Sequence, residues 1–282
     1  MIKILRLSVY ILIILFSVKL SAQIKVSDYV SPYSVKYTFT EKELINDILH
    51  GERGEIKNES SIPFSEWYTE HTKAKYGAWG TPQKHYAPLE DYNKKSVEWK
   101  RERLIANAVR FIGYDYQHHY IPDWDPPEIW PYLKSPSGHN GKGLDCSNLT
   151  SFIYSQSFGI HLNSAIKTQS EETEIEFFGT EKKFEVKVIE KPETFDELVK
   201  ELKTGDLLYI KGTEKGEVTH VIIWVGTVGV SPDNTLLVLD STGDDHVDSN
   251  GKKIPTGIHL RPFNVYAWYY KCFSHAHRII QD

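Results

Sequence analysis

Cysteine is scarce in this sequence, and basic residues are not in excess. The 282 residues include only two cysteines, Cys146 and Cys272, so at most one disulfide can form. The formal net charge is −5 at pH 7. Because a surface that binds nucleic acid must be basic to contact phosphates, we do not expect nucleic acid as a partner.

Long apolar runs are absent after the first twenty residues. The run from Ser8 to Val18 follows Lys3 and Arg6 and precedes small residues that end at Ala22, a pattern typical of an export signal. A membrane span would need about 20 apolar residues. Removal of residues 1–22 would take away three basic and no acidic residues, which changes the net charge from −5 to −8. We expect an exported protein, periplasmic or extracellular, with no membrane span after cleavage; the alternative is an uncleaved anchor.

The sequence also has no internal repeat, no glycine-rich phosphate loop and no serine nucleophile elbow. Cys146 is therefore the candidate nucleophile. Apolar residues after it recur at helical spacing and Gly159 is a suitable helix end, so Cys146 is predicted at the start of a short helix. The positive end of the helix dipole favours a thiolate there. The alternatives are a small buried apolar side chain or a disulfide with Cys272.

Two regions precede this helix. Residues 23–95 form an aromatic-rich N-terminal extension, which we expect to wrap the following domain and bury its aromatic side chains. Thr40 can open a short helix within it. Residues 96–282 form the main domain. Its first helix is predicted over Val97–Ile112, with the charged residues 100–103 in solvent.

The second half of the chain is dominated by predicted strands. Continuous apolar runs at His220–Val225 and Leu236–Leu239 are typical of buried strands, and Val265–Phe273 is predicted as a last aromatic strand. Residues 240–257 are predicted to be a polar loop. Helices followed by antiparallel strands indicate an α+β fold, with helices packed on an antiparallel sheet.

A thiol nucleophile needs an imidazole to carry its proton and a third group to orient that imidazole. His220 begins one predicted strand and Asp240 follows the end of the next. If the two strands pair antiparallel, these two side chains are neighbours at one sheet edge. The alternative is a histidine that faces solvent at a strand end.

Two acidic and histidine-rich clusters could suggest metal sites, but neither has the spacing of a known metal motif. We therefore expect no metal and no cofactor. The first cluster is predicted to line the pocket within the Pro-rich loop 117–142, where Trp124 is a candidate substrate contact. The second is predicted to be a solvated loop. The clusters are His118, His119, Asp123 and Asp125, and Asp240, Asp244, Asp245, His246 and Asp248.

Four ordered blocks resemble the NlpC-type, papain-like cell-wall peptidases. Residues 143–149, Gly-Leu-Asp-Cys-Ser-Asn-Leu, resemble the family signature Gly-x-Asp-Cys-Ser-Gly-Leu. Residues 108–116 resemble the preceding helix and its Gly-x-Pro-Tyr turn, residues 202–208 the Leu-x-Pro-Gly-Asp-Leu block, and residues 219–226 the His-Val-Gly-Ile-Tyr-x-Gly strand. The resemblance covers about residues 97–275 and implies a papain-like α+β fold.

The same resemblance implies site residues. Cys146 matches the nucleophile and His220 the base, while Asp240 falls where the family usually has a second histidine. Tyr116 matches a tyrosine near the oxyanion site. The residues flanking the cysteine, Asp145 and Ser147, match positions that hold the substrate's amino group in some members.

Two residues depart from the family pattern. Asn148 replaces the glycine of the signature, so the helix packs a larger side chain, and Asp115 replaces the proline of the turn. The loop over residues 117–142 is also longer than usual. These departures affect which substrate is expected more than which reaction is expected.

The resulting hypothesis is a secreted cysteine peptidase that hydrolyses amide bonds in peptidoglycan stem peptides, specifically the bond between γ-D-glutamate and the diamino acid. The expected partners are stem peptides or muropeptides, and the expected state is a monomer. Two alternatives stay open. One is a transglutaminase-like or other amide-transferring enzyme with the same Cys-His-Asp site, and the other is an inactive envelope-binding protein.

Overall fold

The computed structural model describes residues 29–51, 53, 69–71, 74, 86–114, 116 and 144–281. The predicted export signal lies outside them, as do Asp115 and the loop 117–142 that carries Trp124. Six α-helices occur in the described part: α1 (Glu41–His50), α2 (Val97–Ala108), α3 (Cys146–Phe158), α4 (Ile166–Glu171), α5 (Phe195–Glu201) and α6 (Trp268–Lys271). None of the described helices is long and apolar enough to cross a bilayer.

The described strands form one main sheet and three small ones. In chain order they are β1 (Ser34–Val35), β2 (Ile160–His161), β3 (Glu174–Phe177), β4 (Lys183–Glu185), β5 (Lys187–Glu190), β6 (Leu207–Lys211), β7 (Val218–Trp224), β8 (Gly229–Val230), β9 (Leu236–Thr242), β10 (His246–Val247), β11 (Lys253–Ile254), β12 (Gly257–Phe263) and β13 (Phe273–Arg278). The main sheet has the order β12-β9-β7-β6-β13-β5, and every neighbouring pair is antiparallel. The α+β prediction is confirmed.

Alternating side chains divide the core between the two faces of the main sheet. One face packs against α1, α2 and α3, and the other packs against α5 and α6. On β9, Leu239 belongs to the first face, so its neighbour Asp240 points towards the second. Asp240 is therefore surrounded by side chains that pack on the second face of the sheet.

Local capping signals explain where several helices begin and end. Thr40 and Thr194 each close a capping box with the glutamate three residues later, at the starts of α1 and α5. Gly159 ends α3 in the left-handed region, with φ of 72°. A Cβ there would lie 2.4 Å from the carbonyl oxygen of Ala87, so the close approach of the extension requires glycine at this position.

The N-terminal extension covers α2, contrary to the prediction that the charged residues of α2 face solvent. The Glu102 carboxylate accepts backbone N–H groups of Thr38 and Phe39 at 2.8 to 3.0 Å. Arg103 pairs with Asp47 of α1 at 2.7 Å and donates to the carbonyl of Ser157 at 3.0 Å. These charges are buried because the extension supplies their partners.

Two predicted elements after residue 239 were wrong. Residues 240–257 are not a simple polar loop, because β9 continues to Thr242 and β10 pairs with β11. The segment Val265–Phe273 is not a strand, since α6 occupies its second half. Aromatic residues favour strands in isolation, but tertiary packing overrides this preference here. The helical turn buries Tyr269 and leaves Tyr266 82% exposed.

Candidate active site

The helix α3 places Cys146 at its first position. The Asp145 carboxylate caps the helix by accepting the backbone N–H of Asn148 at 2.8 Å. Cys146 is buried, with 5% of its surface exposed. The hydroxyl of Ser241, on β9, donates to the carbonyl oxygen of Leu144 at 2.5 Å, and this bond holds the segment before the thiol against the main sheet.

His220 lies between Cys146 and Asp240. Its Nε2 atom is 2.7 Å from Oδ1 of Asp240, and the side chain of Cys146 also acts on the ring electrostatically. Because Nε2 is bonded to the carboxylate, Nδ1 is the ring nitrogen left for the thiol. Strands β7 and β9 pair antiparallel, with Ile223 opposite Leu239. The start of one strand therefore lies beside the end of the other, as expected from their order in the sequence.

The charges around His220 and Asp240 favour an imidazolium next to a carboxylate. Burial alone would lower the pKa of His220, but the nearby Asp240 and Cys146 raise the pKa well above its usual value. Burial alone would raise the pKa of Asp240, but His220 and Arg261 lower it below its ordinary range. The pair is therefore stable in its charged form over the neutral pH range.

Two further side chains contact Asp240 from the second face of the sheet. The hydroxyl of Tyr269 donates to Oδ2 at 2.5 Å, and Nε of Arg261 lies 3.7 Å from the same oxygen. Asp240 and Arg261 are completely buried, and Tyr269 is 1% exposed. Around them, Trp268 approaches the His220 ring with centroids 5.8 Å apart, and His246 stacks on Tyr269 at 5.2 Å.

Sequence reasoning missed Tyr269 and Arg261. Tyr269 falls in a segment predicted as a strand, which hides the helical turn that aims its hydroxyl at the site. Arg261 was not singled out, although it is the one charge within the apolar run Ile258–Phe263. A charged residue in a buried strand usually has a partner. That signal could have identified Arg261 as a neighbour of a buried carboxylate.

The predicted substrate-binding residues have different surroundings. Tyr116 packs near Gly243, and its pKa is raised by burial and by the charges of Cys146 and Asp145. Oδ2 of Asp145 accepts the side-chain N–H of Asn148 at 2.9 Å. Ser147 is buried and donates to the carbonyl of Ser164 at 2.7 Å. Trp124 lies outside the described residues.

The two cysteines are both free and buried. Cys146 belongs to the first core cluster and Cys272 to the second, on the other face of the main sheet. Their packing therefore differs: one thiol lies beside a histidine, and the other is surrounded by apolar side chains. The two thiols are not joined in the disulfide that the sequence left open.

The acidic segment 240–248 is not the solvated loop predicted from the sequence. Asp248 is buried and accepts the backbone N–H groups of Asn250 and Lys252 at 2.8 and 2.9 Å. Asp240 is paired with His220. Among the described residues, no group of three or more His, Cys, Asp or Glu side chains has an arrangement that could hold a metal ion. The first cluster, His118 to Asp125, lies outside them.

Part of the chain is similar to a known protein family. Residues 134–254 match the model of the NlpC/P60 family. No curated protein sequence matches the chain. Solved structures similar to it include an NlpC/P60 family protein from Bacillus cereus ATCC 10987, with 20% identity and a TM-score of 0.37 over 64% of this chain and 40% of that one.

Two structures from Trichomonas vaginalis are also similar. NlpC1 has 15% identity and a TM-score of 0.34, over 62% of this chain and 42% of that one. NlpC2 has 18% identity and a TM-score of 0.33, over 64% and 45%. The chain thus spans less than half the length of these solved structures. Residues 134–254, which match the NlpC/P60 family model, contain Cys146, His220 and Asp240.

Proposed function

We propose that this protein is a cysteine peptidase that hydrolyses amide bonds in the stem peptides of peptidoglycan. The observation that carries the proposal is the hydrogen bond between His220 and Asp240, together with the thiol of Cys146 at the start of a helix, which acts electrostatically on the same imidazole. Nucleophile, base and orienting group in this order are what acyl transfer to a thiol requires. The NlpC/P60 match over the same residues supports cell-wall peptidase activity.

The reaction follows from the positions of these groups. With the proton of Cys146 held on Nδ1 of His220, the thiolate attacks the carbonyl carbon of the scissile amide. The first backbone N–H groups of α3 have no intrahelical partner, so together with Tyr116 they are placed to stabilise the oxyanion. His220 then gives its proton to the leaving amine. Water hydrolyses the resulting thioester with His220 again as base, which regenerates the thiol.

Asp240 orients the imidazole throughout. Its negative charge stabilises the imidazolium that forms when Cys146 loses its proton, and the hydrogen bond at 2.7 Å keeps Nδ1 directed at the thiol. A carboxylate serves this purpose better than a neutral group because the developing charge is buried. His220 has only 8% of its surface exposed, so solvent screens that charge weakly.

The scissile bond in this proposal joins γ-D-glutamate to the diamino acid. Tyr116, Asp145, Ser147 and Trp124 would contact the substrate around it. The side-chain amide of Asn148 is bonded to Asp145, so an incoming amino group would share that carboxylate with Asn148. The masses of the products separate hydrolysis from amide transfer, because transfer adds the mass of the acceptor.

The location and division of the chain belong to the same proposal. Residues 1–22 would direct export to the periplasm or the exterior, where peptidoglycan is found, and residues 23–95 would form an extension of the peptidase domain at 96–282. The contacts of Arg103 with α1 and of Gly159 with Ala87 support an extension that packs on this domain. Intact mass and sedimentation of the mature protein test the cleavage site and the monomeric state.

The decisive experiment compares two cysteine variants on purified muropeptides. Cys146→Ala should abolish release of peptide fragments, whereas Cys272→Ala should retain it, because Cys272 lies in an apolar cluster on the other face of the sheet. Mass spectrometry of the products also identifies the bond that is cut. Equal release by wild type and Cys146→Ala would refute the peptidase assignment.

A further inference from the structure

We propose that Tyr269 and Arg261 are positioning residues, which hold the Asp240 carboxylate ionised and directed at His220. The proposal rests on the proposed function, since it concerns the same catalytic row. The two residues act on the side of Asp240 that faces away from His220. Together they extend the row of three side chains into a buried network of five.

Each carboxylate oxygen of Asp240 accepts a hydrogen bond. Oδ1 receives the His220 ring at 2.7 Å, and Oδ2 receives the Tyr269 hydroxyl at 2.5 Å. A carboxylate that accepts two such bonds cannot rotate without breaking both. Tyr269 therefore fixes the plane of the carboxylate, and that plane fixes the direction of the imidazole.

Arg261 supplies charge more than a hydrogen bond. Its Nη2 atom donates to the carbonyl oxygens of Pro255 and Gly257 at 2.8 and 3.0 Å, which anchors the guanidinium behind the site. Its Nε lies 3.7 Å from Oδ2 of Asp240, and neither side chain has any exposed surface. A buried carboxylate without nearby positive charge would take up a proton, so Arg261 adds to the effect of His220 in keeping Asp240 ionised.

His246 holds Tyr269 from the opposite side. The two rings are nearly parallel, at 6°, and Nε2 of His246 is 3.3 Å from the tyrosine hydroxyl. The phenol has one hydrogen, which the shorter bond gives to Asp240. His246 must therefore donate from Nε2 to the phenol oxygen. The hydroxyl is thus held in the orientation that serves Asp240.

The test measures how fast iodoacetamide alkylates Cys146 at pH 6, in a Cys272→Ala background where Cys146 is the single thiol. The alkylation rate reports the thiolate without requiring any substrate. Tyr269→Phe, Asp240→Asn and the double variant form a cycle. The matched control is Tyr154→Phe, which removes a buried hydroxyl bonded to the carbonyl of Gly205, far from the site.

We expect Tyr269→Phe to slow alkylation by about fivefold to tenfold, because a hydrogen bond to a buried charge is lost. In the Asp240→Asn background the same substitution should have no further effect, since Tyr269 acts through that carboxylate. Tyr154→Phe should leave the rate unchanged. Arg261→Gln should slow alkylation more than Arg261→Lys, which retains the charge.

An equal effect of Tyr269→Phe in both backgrounds, or an effect no larger than that of Tyr154→Phe, would overturn the proposal. Thermal unfolding of each variant identifies any variant that does not fold. If Arg261→Gln or Arg261→Lys does not fold, the cycle of Tyr269→Phe and Asp240→Asn still tests the proposal. If alkylation follows the cycle but muropeptides are not cut, the proposed substrate is wrong while the positioning role stands. If Asp240→Asn itself leaves alkylation unchanged, the catalytic row is wrong and the positioning role falls with it.

Discussion

Two groups of side chains on the main sheet, each with histidine beside tyrosine, differ in one respect. The first group is His220 with Asp240 and Tyr269. The second group, on β13 and β6, is His275 and His277 with Tyr209, whose ring centroid lies 5.0 and 4.6 Å from theirs. The first group contains a buried carboxylate within hydrogen-bond distance of its histidine, and the histidines of the second pack against tyrosine and each other.

The carboxylate decides whether the histidine is neutral or positively charged. Burial and the neighbouring His275 lower the pKa of His277 to about 3, so it stays neutral. His220 is similarly buried, yet Asp240 raises its pKa well above the usual value. Burial by itself produces an inert, uncharged imidazole. A buried carboxylate at 2.7 Å converts the same side chain into one that can hold a proton beside a thiol.

The largest expected effect comes from removing that carboxylate. Asp240→Asn should make His220 resemble His277 and lower kcat/KM for muropeptide hydrolysis by roughly 10³- to 10⁴-fold, the range seen when an orienting carboxylate becomes an amide. The matched control is Asp248→Asn, another buried carboxylate, which accepts backbone N–H groups of the β10–β11 turn. A loss below about tenfold would contradict the orienting role of Asp240.

A titration followed by NMR compares the two groups directly in the wild-type protein. His220 should remain protonated at pH 7, and His277 should remain neutral down to about pH 4. The signs for stability are opposite. His220, with a raised pKa, stabilises the fold below pH 6.5 and loses this contribution as the pH rises through its folded-state pKa. His277 destabilises the fold as the pH falls below 6.5.

The third prediction isolates the pH dependence of His277. Between pH 6.5 and 3 the unfolded chain binds a proton that the folded protein does not, which costs at most about 1.4 kcal/mol of stability per pH unit. His277→Gln should therefore lose about 1 to 2 kcal/mol less than wild type between pH 7 and pH 5 in urea unfolding. At pH 8 the difference between the two proteins measures the change in packing alone. If the free energies of unfolding of wild type and His277→Gln change in parallel from pH 8 to 5, the lowered pKa of His277 is contradicted.

The smallest effect is expected from the tyrosine of the second group. The Tyr209 hydroxyl donates to the carbonyl of Gln169 at 3.2 Å, and its removal should cost about 1 kcal/mol in the free energy of unfolding. Tyr209→Phe should leave muropeptide hydrolysis within twofold of wild type, because this hydroxyl does not contact Asp240. A tenfold loss of activity would show that the two groups are coupled.

Local signals in the sequence were sufficient wherever the physical cause is local. Thr40 and Thr194 cap helices through bonds to residues three positions away, and Gly159 ends a helix through its own backbone angles. The pairing of His220 with Asp240 could be expected for a related reason, since consecutive antiparallel strands place the start of one beside the end of the other. These features needed no knowledge of distant contacts.

Other features depend on distant segments and could not be predicted in the same way. The charged face of α2 looks solvated in the sequence, but Glu102 and Arg103 meet residues more than fifty positions away. The aromatic run before Phe273 favours a strand by composition. It forms a helical turn because Tyr269 packs in the second core and reaches a carboxylate 29 positions earlier.

Cys146 at the start of a helix, the α+β order of elements and the facing ends of β7 and β9 were all present in the chain itself, because spacing and strand order create them. The environment of Asp240 was decided only by the folded structure. Whether a buried carboxylate holds a proton or a negative charge depends on the charges and donors within a few ångströms, and here Arg261 and Tyr269 arrive from another strand and a helical turn. That environment separates a charged histidine beside a thiol from one that stays neutral in the core.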